Sequence, residues 1–396
     1  MMFSKRFEPY ARPNRLSRLL SRLKEEGKPV IDLTESNPTR CRFHYPSGLL
    51  HAFSTRKNLI YKPDPRGSSG AREAILAYYR RIGVFLKPEQ IFLTASSSEA
   101  YHFLFRLLAD HNDHILMPSP GYPLMEHLAR LNDIQVDFFK LEYEGEAWKI
   151  DFDSLEKGIH SRTRAIVIIH PNNPTGSYAG VEEQNRLISL AKKHHLPIIS
   201  DEVFFDYAYP GADILPRSFS FNSKSLTFTL SGLSKMACLP QMKASWLVIT
   251  GPVNQVRESM RRLELIADAY LSVNTPVQNA LPGILKKRNF IQRQVMERVL
   301  KNRRCLIRRL EKLKSCRLLK GEGGWYAVIR LPRIMSDEAW ALRFLEKEGV
   351  LVYPGHFFDF QIESCLVLSL LPPEPLFIRG VSKIVQRISK ELGDLH

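Results

Sequence analysis

The chain has 396 residues, more than one compact core usually holds, so two domains are expected. Hydrophobic residues make up 44% and charged residues 25%, an ordinary soluble balance, and neither a signal peptide nor an apolar run of membrane-spanning length is read from the sequence. The net charge of +16 raises nucleic acid as a partner, while five widely spaced cysteines argue against a disulfide framework or a metal site and fit a reducing cytoplasm.

In chain order, residues 15–26 form a basic amphipathic segment, 29–33 a short strand, and 47–65 a turn-rich connection. From Gly70 the pattern becomes α/β, with a helix over 71–81, a strand over 90–94, a helix over 99–108 and an apolar strand over 114–117 that ends at Pro118-Ser-Pro-Gly-Tyr-Pro123. A β-branched run at 165–169, an amphipathic helix at 182–194 and strands at 196–200, 226–230 and 246–250 continue the alternation. Such runs with helical crossovers imply a mainly parallel sheet covered on both faces, with active residues on loops beyond the carboxyl ends of its strands.

Between Lys286 and Lys320 stand 14 Lys or Arg residues and only two acidic ones, Glu297 and Glu311. Val295, Val299, Leu306, Leu310 and Leu313 recur through this stretch at roughly helical spacing, which predicts a long helix with a solvated basic face rather than a nucleic-acid surface. The charge can still draw anionic substrates toward a nearby cleft. The remainder, with 323–330, 337–348, 350–353, 366–370 and a closing helix over 377–392, reads as a smaller α+β domain to which the N-terminal segment returns. The expected division is therefore 47–283 for the large domain and 1–46 with 284–396 for the small one.

Three segments carry chemistry. Lys235 stands just after an apolar strand in Ser231-Gly-Leu-Ser-Lys235, and partial burial there would lower its pKa and let its amine form a Schiff base. Alone it also reads as a surface lysine on a loop. Asn172-Asn-Pro-Thr-Gly176 and Asp201-Glu202 each follow a strand, although singly they are compatible with a turn and a helix cap. Their order at successive strand ends is the informative feature.

The chain resembles the class I and II aminotransferases, pyridoxal-phosphate enzymes of fold type I, over about residues 31–392. The resemblance rests on Tyr61-x-Pro-x-x-x-Gly67, 94–100, Pro120-Gly-Tyr-Pro123, Asn172-Asn-Pro-Thr-Gly176, Ser200-Asp-Glu-Val203, Gly232-Leu-Ser-Lys235 and Val352-Tyr-Pro-Gly355. It implies a mainly parallel seven-stranded-type sheet with helices on both faces, and a small α+β domain beside it. It implies that Lys235 holds pyridoxal 5′-phosphate covalently and then moves the substrate proton, with Asp201 keeping the pyridine nitrogen protonated. By the same resemblance Asn173 donates to the phenolic oxygen, Tyr122 covers the ring face, and Ser96, Ser97 and Ser98 cradle the phosphate at a helix N-terminus. Ser231, Ser234 and Lys243 are further phosphate candidates, and Tyr61 matches a residue that reaches the phosphate from a neighbouring subunit, which implies a homodimer.

Four positions depart from the family pattern. Phe204 replaces a tyrosine that donates to the phenolic oxygen, Lys243 replaces an arginine, and Ser96 stands where glycine is frequent. Val367 occupies the place of the arginine that grips the substrate carboxylate, and valine cannot make that bidentate contact. Arg40 and Arg42, following Asn37-Pro38, are the expected substitutes, with His356 as a weaker one, unless Val367 lines an apolar pocket for an amine without that carboxylate. The expected function is transamination between an amino donor and a keto or aldehyde acceptor. A pyridoxal-phosphate lyase or decarboxylase is the alternative, and a regulator-like protein without activity a more distant one. No metal, no specific nucleic acid and no membrane partner is expected.

Overall fold

In the computed structural model, which describes Arg6 and residues 13–212 and 216–393, the β-branched runs of the sequence form the centre of one large sheet. The strands are β1 (Ile31–Asp32), β2 (Ile91–Thr94), β3 (His114–Ser119), β4 (Gln135–Glu144), β5 (Ala147–Ile150), β6 (Thr163–Ile169), β7 (Ile198–Asp201), β8 (Thr227–Gly232), β9 (Ser245–Thr250), β10 (Arg317–Leu319), β11 (Tyr326–Arg330), β12 (Val350–Leu351), β13 (Tyr353–Pro354) and β14 (Cys365–Ser369). The helices are α1 (Arg15–Glu25), α2 (Ser69–Arg81), α3 (Ser97–Leu108), α4 (Leu124–Leu131), α5 (Phe152–Lys157), α6 (Val181–Lys193), α7 (Leu233–Met236), α8 (Val253–Asp268), α9 (Thr275–Leu310), α10 (Asp337–Arg343) and α11 (Glu374–Gly393).

Eight strands make the large sheet in the order β2-β9-β8-β7-β6-β3-β4-β5. The pairings β8–β7, β7–β6, β6–β3 and β3–β4 are parallel, while β9 runs antiparallel to both its neighbours and β5 antiparallel to β4. The seven-stranded-type expectation is thus one strand short. The strands that the sequence pattern does not reveal, β4 and β5, form an edge hairpin whose side chains are largely exposed or half-buried, so they lack the apolar run that marks the centre.

Successive side chains of a strand point to opposite faces, and both faces here are covered. Ile166 and Ile168 of β6 and Ile198 of β7 pack with Leu187 and Ala191 of α6, whereas Ala165, Val167 and Ile199 pack with Phe103 and Leu104 of α3 and Leu263 of α8. Each Val, Leu, Ile or Phe side chain fully buried in this way contributes about 1.5–3 kcal/mol.

The second layer is a sheet in the order β10-β11-β14-β13, antiparallel throughout. The N-terminal segment returns to this part of the fold, as β1 pairs in parallel with β12 through Ile31↔Val350. Leu16 and Leu23 of α1 join the same apolar cluster as Trp340, Phe344 and Ile384. The basic helix α9 begins at Thr275, earlier than its charge run, and ends at Leu310, before Leu313. Its first half buries Val277, Leu281 and Ile284 against α2, and its second half buries Val295, Val299 and Leu306 in the second layer's core. Lys286, Lys287, Arg293, Arg304 and Arg308 lie on its exposed face, while Arg288 is turned inward toward Asp206 and the Tyr78 ring.

Candidate active site

The carboxyl ends of β6, β7 and β8 deliver Asn173, Asp201 and the pair Ser234–Lys235 to one cavity of about 350 Å³. That convergence follows from strand direction, since parallel strands feed all their following loops to the same edge. A larger groove of about 610 Å³ opens at the amino ends of β7 and β8, against Pro197 and Leu226, away from these groups.

Lys235 sits on the short helix α7, directly after β8, with its backbone carbonyl accepting a hydrogen bond of 2.8 Å from the Tyr207 hydroxyl. Its Nζ lies 5.0 Å from the Trp325 ring centroid and 5.2 Å from that of Phe204. Burial pushes the ammonium below the usual lysine range, opposed by Cys238 and Asp201 nearby. Asp201, at the end of β7, is buried with both oxygens engaged. Its Oδ1 accepts from the Val203 N–H at 3.1 Å and its Oδ2 from the Tyr101 hydroxyl at 3.2 Å. Desolvation pushes its pKa up to about 6, against the pull of those two hydrogen bonds and of Lys235.

Ser96 caps α3, its hydroxyl accepting from the Glu99 N–H at 3.0 Å while the Glu99 carboxylate accepts from the Ala95 N–H at 2.6 Å. Ser97 and Ser98 occupy the first turn, where N–H groups have no intrahelical partner, and both line the cavity together with Ser96, Ser234 and Lys243. Lys243 adopts a left-handed backbone conformation, φ 54°, at the turn into β9. Ser231 is buried within β8 and does not line the cavity; its Oγ and the Oδ1 of Asn173 have no hydrogen-bond partner among the described residues.

The loop after β6 is fixed by backbone contact with a glycine-rich segment 321–324. Glu322 and Gly323 donate N–H bonds of 2.9 and 3.0 Å to the Gly176 carbonyl, and Gly176 has φ +73°. A Cβ at Gly176 would overlap the Gly323 carbonyl oxygen, and one at Gly323 would overlap the Tyr207 carbonyl and the Tyr178 ring. This approach sets Trp325 and Tyr326 beside the site.

Trp325, Tyr326, Tyr101 and Ser36 are site residues that the motifs do not reveal. Tyr326 and Ser36 line the cavity, Trp325 packs edge-on to Phe204, and Tyr101 bonds Asp201. The glycine run ahead of Trp325 is the one sequence signal for them. Tyr122, Asn173, Asp201, Phe204 and Lys235 do line the cavity together, Tyr122 being 39% exposed.

Besides Ser231, six sequence candidates are not brought to the cavity within this chain. Tyr61 is 75% exposed. The Asn37 side chain is turned to its own 3-10 turn, accepting from the Thr39 N–H and hydroxyl, and that turn carries Arg40 outward to Glu35 at 3.7 Å. Arg42 is exposed at φ 61°, and His356 lies 3.3 Å from Asp337. Val367 is wholly buried in β14 between Val328 and Tyr353, inside the second layer, so it does not line an apolar substrate pocket either. The charged groups lining the cavity are Asp201, Lys235 and Lys243.

Elsewhere, His114, Asp137 and His160 cluster within reach of a metal ion. The His160 Nδ1 accepts the Arg162 N–H at 3.2 Å, which puts the proton of a neutral ring on Nε2, facing Asp137 at 2.9 Å. A metal-bound histidine instead donates from its distal nitrogen, so this cluster is built as a hydrogen-bonded group rather than a ligand set.

The family model described as aminotransferase class I and II matches residues 24–376. An alanine aminotransferase of Mycobacterium tuberculosis is 29% identical over 384 residues, covering 94% of this chain and 87% of the relative. A glutamate-pyruvate aminotransferase of Escherichia coli is 28% identical, covering 93% and 92%. Among solved structures, an alanine aminotransferase from Pyrococcus furiosus superposes with a TM-score of 0.88 at 25% identity over 98% of this chain and 100% of that one. An Escherichia coli aminotransferase gives 0.87 at 26% identity over 98% of both.

Proposed function

The chain belongs to the aminotransferase class I and II family, and from that premise we propose how its own residues perform the reaction. It is a pyridoxal-phosphate-dependent aminotransferase of fold type I, moving an amino group from an amino acid to an acceptor in two half-reactions. The observation that carries the reading of the site is the meeting of a half-buried lysine and a buried carboxylate in one cavity at the carboxyl edge of a parallel sheet.

The residues present fit pyridoxal 5′-phosphate. Serine hydroxyls, the first N–H groups of α3 and the Lys243 ammonium make a donor set suited to a phosphate, the buried Asp201 carboxylate suits a protonated ring nitrogen, and the Asn173 side-chain N–H suits the ring's phenolic oxygen. When bound, the cofactor supplies an aldehyde that condenses with primary amines and a pyridinium ring that withdraws electrons from the bond being broken.

Lys235 would anchor it covalently and then, as a free amine with a lowered pKa, take the proton from the substrate α-carbon. The Asp201 carboxylate would hold the proton on the ring nitrogen by charge attraction. Asn173 would donate to the phenolic oxygen alone, since Phe204 offers no hydroxyl, and Tyr122 would cover the ring face. Ser96, Ser97, Ser98, Ser234 and Lys243 would bind the phosphate.

We further propose a cytoplasmic homodimer, divided into a cofactor-binding domain at 47–283 and a small domain from 1–46 and 284–396. Leu59, Ile60 and Tyr61, exposed at 86%, 62% and 75%, support a covering partner from which Tyr61 reaches the neighbouring phosphate. Five unpaired cysteines support a reducing compartment. No helix among the described residues is long and apolar enough to cross a membrane.

The test uses protein reconstituted with pyridoxal phosphate and alanine as first donor, chosen because the Mycobacterium tuberculosis relative is an alanine aminotransferase. Donor without acceptor should convert the absorbance of the bound cofactor to a stable aminated form, where a lyase or decarboxylase would release product and return to its starting spectrum. Borohydride reduction before donor is added should label the peptide containing Lys235; a label on another lysine overturns the assignment.

A further inference from the structure

Among the groups that the proposed chemistry does not use, Tyr101 bonds directly to the Asp201 carboxylate. It lies in the second turn of α3 with no exposed surface, in the apolar cluster formed by that helix with β8 and β9, its ring tilted against Phe105. A phenol hydroxyl in such a place needs a partner, and this one donates to the Asp201 Oδ2 across a sequence separation of 100 residues. The other carboxylate oxygen is held by the Val203 N–H of the same loop. The in-plane rotation of the Asp201 carboxylate is thus set by two donors, one of them rigidly borne by a helix.

That helix also begins at the cavity with Ser96, Ser97 and Ser98. From Ser98 to Tyr101 the helical rise is about 4.5 Å, at about 1.5 Å per residue. One stiff element therefore carries the anion-binding turn and, a turn further in, the group that orients the buried carboxylate.

We infer that Tyr101 is a positioning residue for the proposed reaction: its hydroxyl orients the Asp201 carboxylate toward the cofactor's ring nitrogen, in register with the phosphate turn at the start of the same helix. The inference rests on the reading of Asp201 given above. Four ionisable groups face this carboxylate: Tyr101 from α3, Lys235 from α7, Tyr122 from the loop before α4, and Glu202 beside it in the chain. Removing the Tyr101 hydrogen bond removes one of the influences that favour the ionised carboxylate, so the pH needed to ionise Asp201 rises.

The experiment compares wild type, Tyr101→Phe and Asp201→Ala in the cofactor-free form. Each is titrated with pyridoxal phosphate and with its 1-deaza analogue, which keeps the aldehyde and phosphate but has carbon in place of the ring nitrogen. Tyr101→Phe should weaken pyridoxal phosphate by about tenfold, the size of one charge-assisted hydrogen bond, and leave the analogue within about twofold of wild type. In the loaded enzyme the acidic limb of the half-reaction rate should move to higher pH, with KM for the donor unchanged. Equal weakening of both ligands, or no weakening of either, overturns the positioning role. If Asp201→Ala fails to discriminate between the two ligands, the reading of Asp201 itself is wrong, a result separable from the first. Tyr101→Met, which also lacks the hydroxyl, replaces the phenylalanine variant if that protein is not recovered in soluble form, and the same outcomes decide.

Discussion

Replacing Asp201 by asparagine should stabilise the cofactor-free protein while disabling it. The carboxylate is buried, and desolvation lifts its pKa from 3.8 to about 6. A carboxyl group that holds its proton more tightly in the folded state than in the unfolded one destabilises the fold wherever it must ionise. The penalty is absent below about pH 4, grows as pH rises toward about 6, and is complete above that, where the difference corresponds to about 3 kcal/mol. The asparagine side chain would carry no charge at any pH and would still present an acceptor oxygen to Tyr101 or Val203. Allowing for the lost attraction to Lys235, the variant should be more stable at pH 7 by about 1–3 kcal/mol, a gain that vanishes as pH falls through the window from about 6 to about 4. Glu202, pushed up to about 7 by burial, adds a pH dependence of the same sign, but it is common to both proteins and largely cancels in the difference. Urea unfolding of both cofactor-free proteins at pH 7, 5.5 and 4.5 measures the effect, and the reconstituted variant should lose most of its half-reaction rate. A variant that is less stable at pH 7, or a stability difference that does not change with pH, would refute the reasoning.

Phe204 packs beside Lys235 and brings no hydroxyl to the cavity, so Phe204→Tyr should lower the pH midpoint of the bound cofactor's absorbance change; an unchanged or higher midpoint means another donor already serves the phenolic oxygen. Gly176→Ala places a Cβ on the Gly323 carbonyl at a left-handed φ, which should cost about 2–4 kcal/mol in urea unfolding from overpacking and backbone strain together. Arg40→Ala and Arg42→Ala should each leave kcat/KM for amino acids within about threefold, because neither side chain lines the cavity; a selective loss of amino acids relative to their decarboxylated amines would restore the N-terminal carboxylate clamp.

Much of the architecture was legible in the sequence because the physics behind it is local. A β-branched run such as 165–169 followed by an amphipathic helix at spacing 3.6 specifies a buried parallel strand and its crossover, and these appear as β6 and α6. Strand direction then sends 172–176, Asp201 and Lys235 to one edge, so the lining of the cavity by Asn173, Asp201 and Lys235 could be anticipated from order alone. The hairpin of β4 and β5 was not legible, since a largely exposed edge strand carries no continuous apolar signature. Tyr101 reads in the sequence as one more core aromatic of α3; only the packing of that helix on β7 and β8 brings its hydroxyl to Asp201. Trp325 and Tyr326 follow a backbone contact between Gly176 and Gly323 that a Cβ on Gly176 would block, while one on Gly323 would strike Tyr207 and Tyr178. The arginines after Asn37 are candidates because that segment resembles a family segment lining the substrate side of the cleft, yet the Asn37 side chain closes a tight turn that directs Arg40 to Glu35. Periodicity and strand ends thus determined which backbone segments meet, while the orientation of each side chain at the site depended on contacts between residues distant in sequence, which no local pattern encodes.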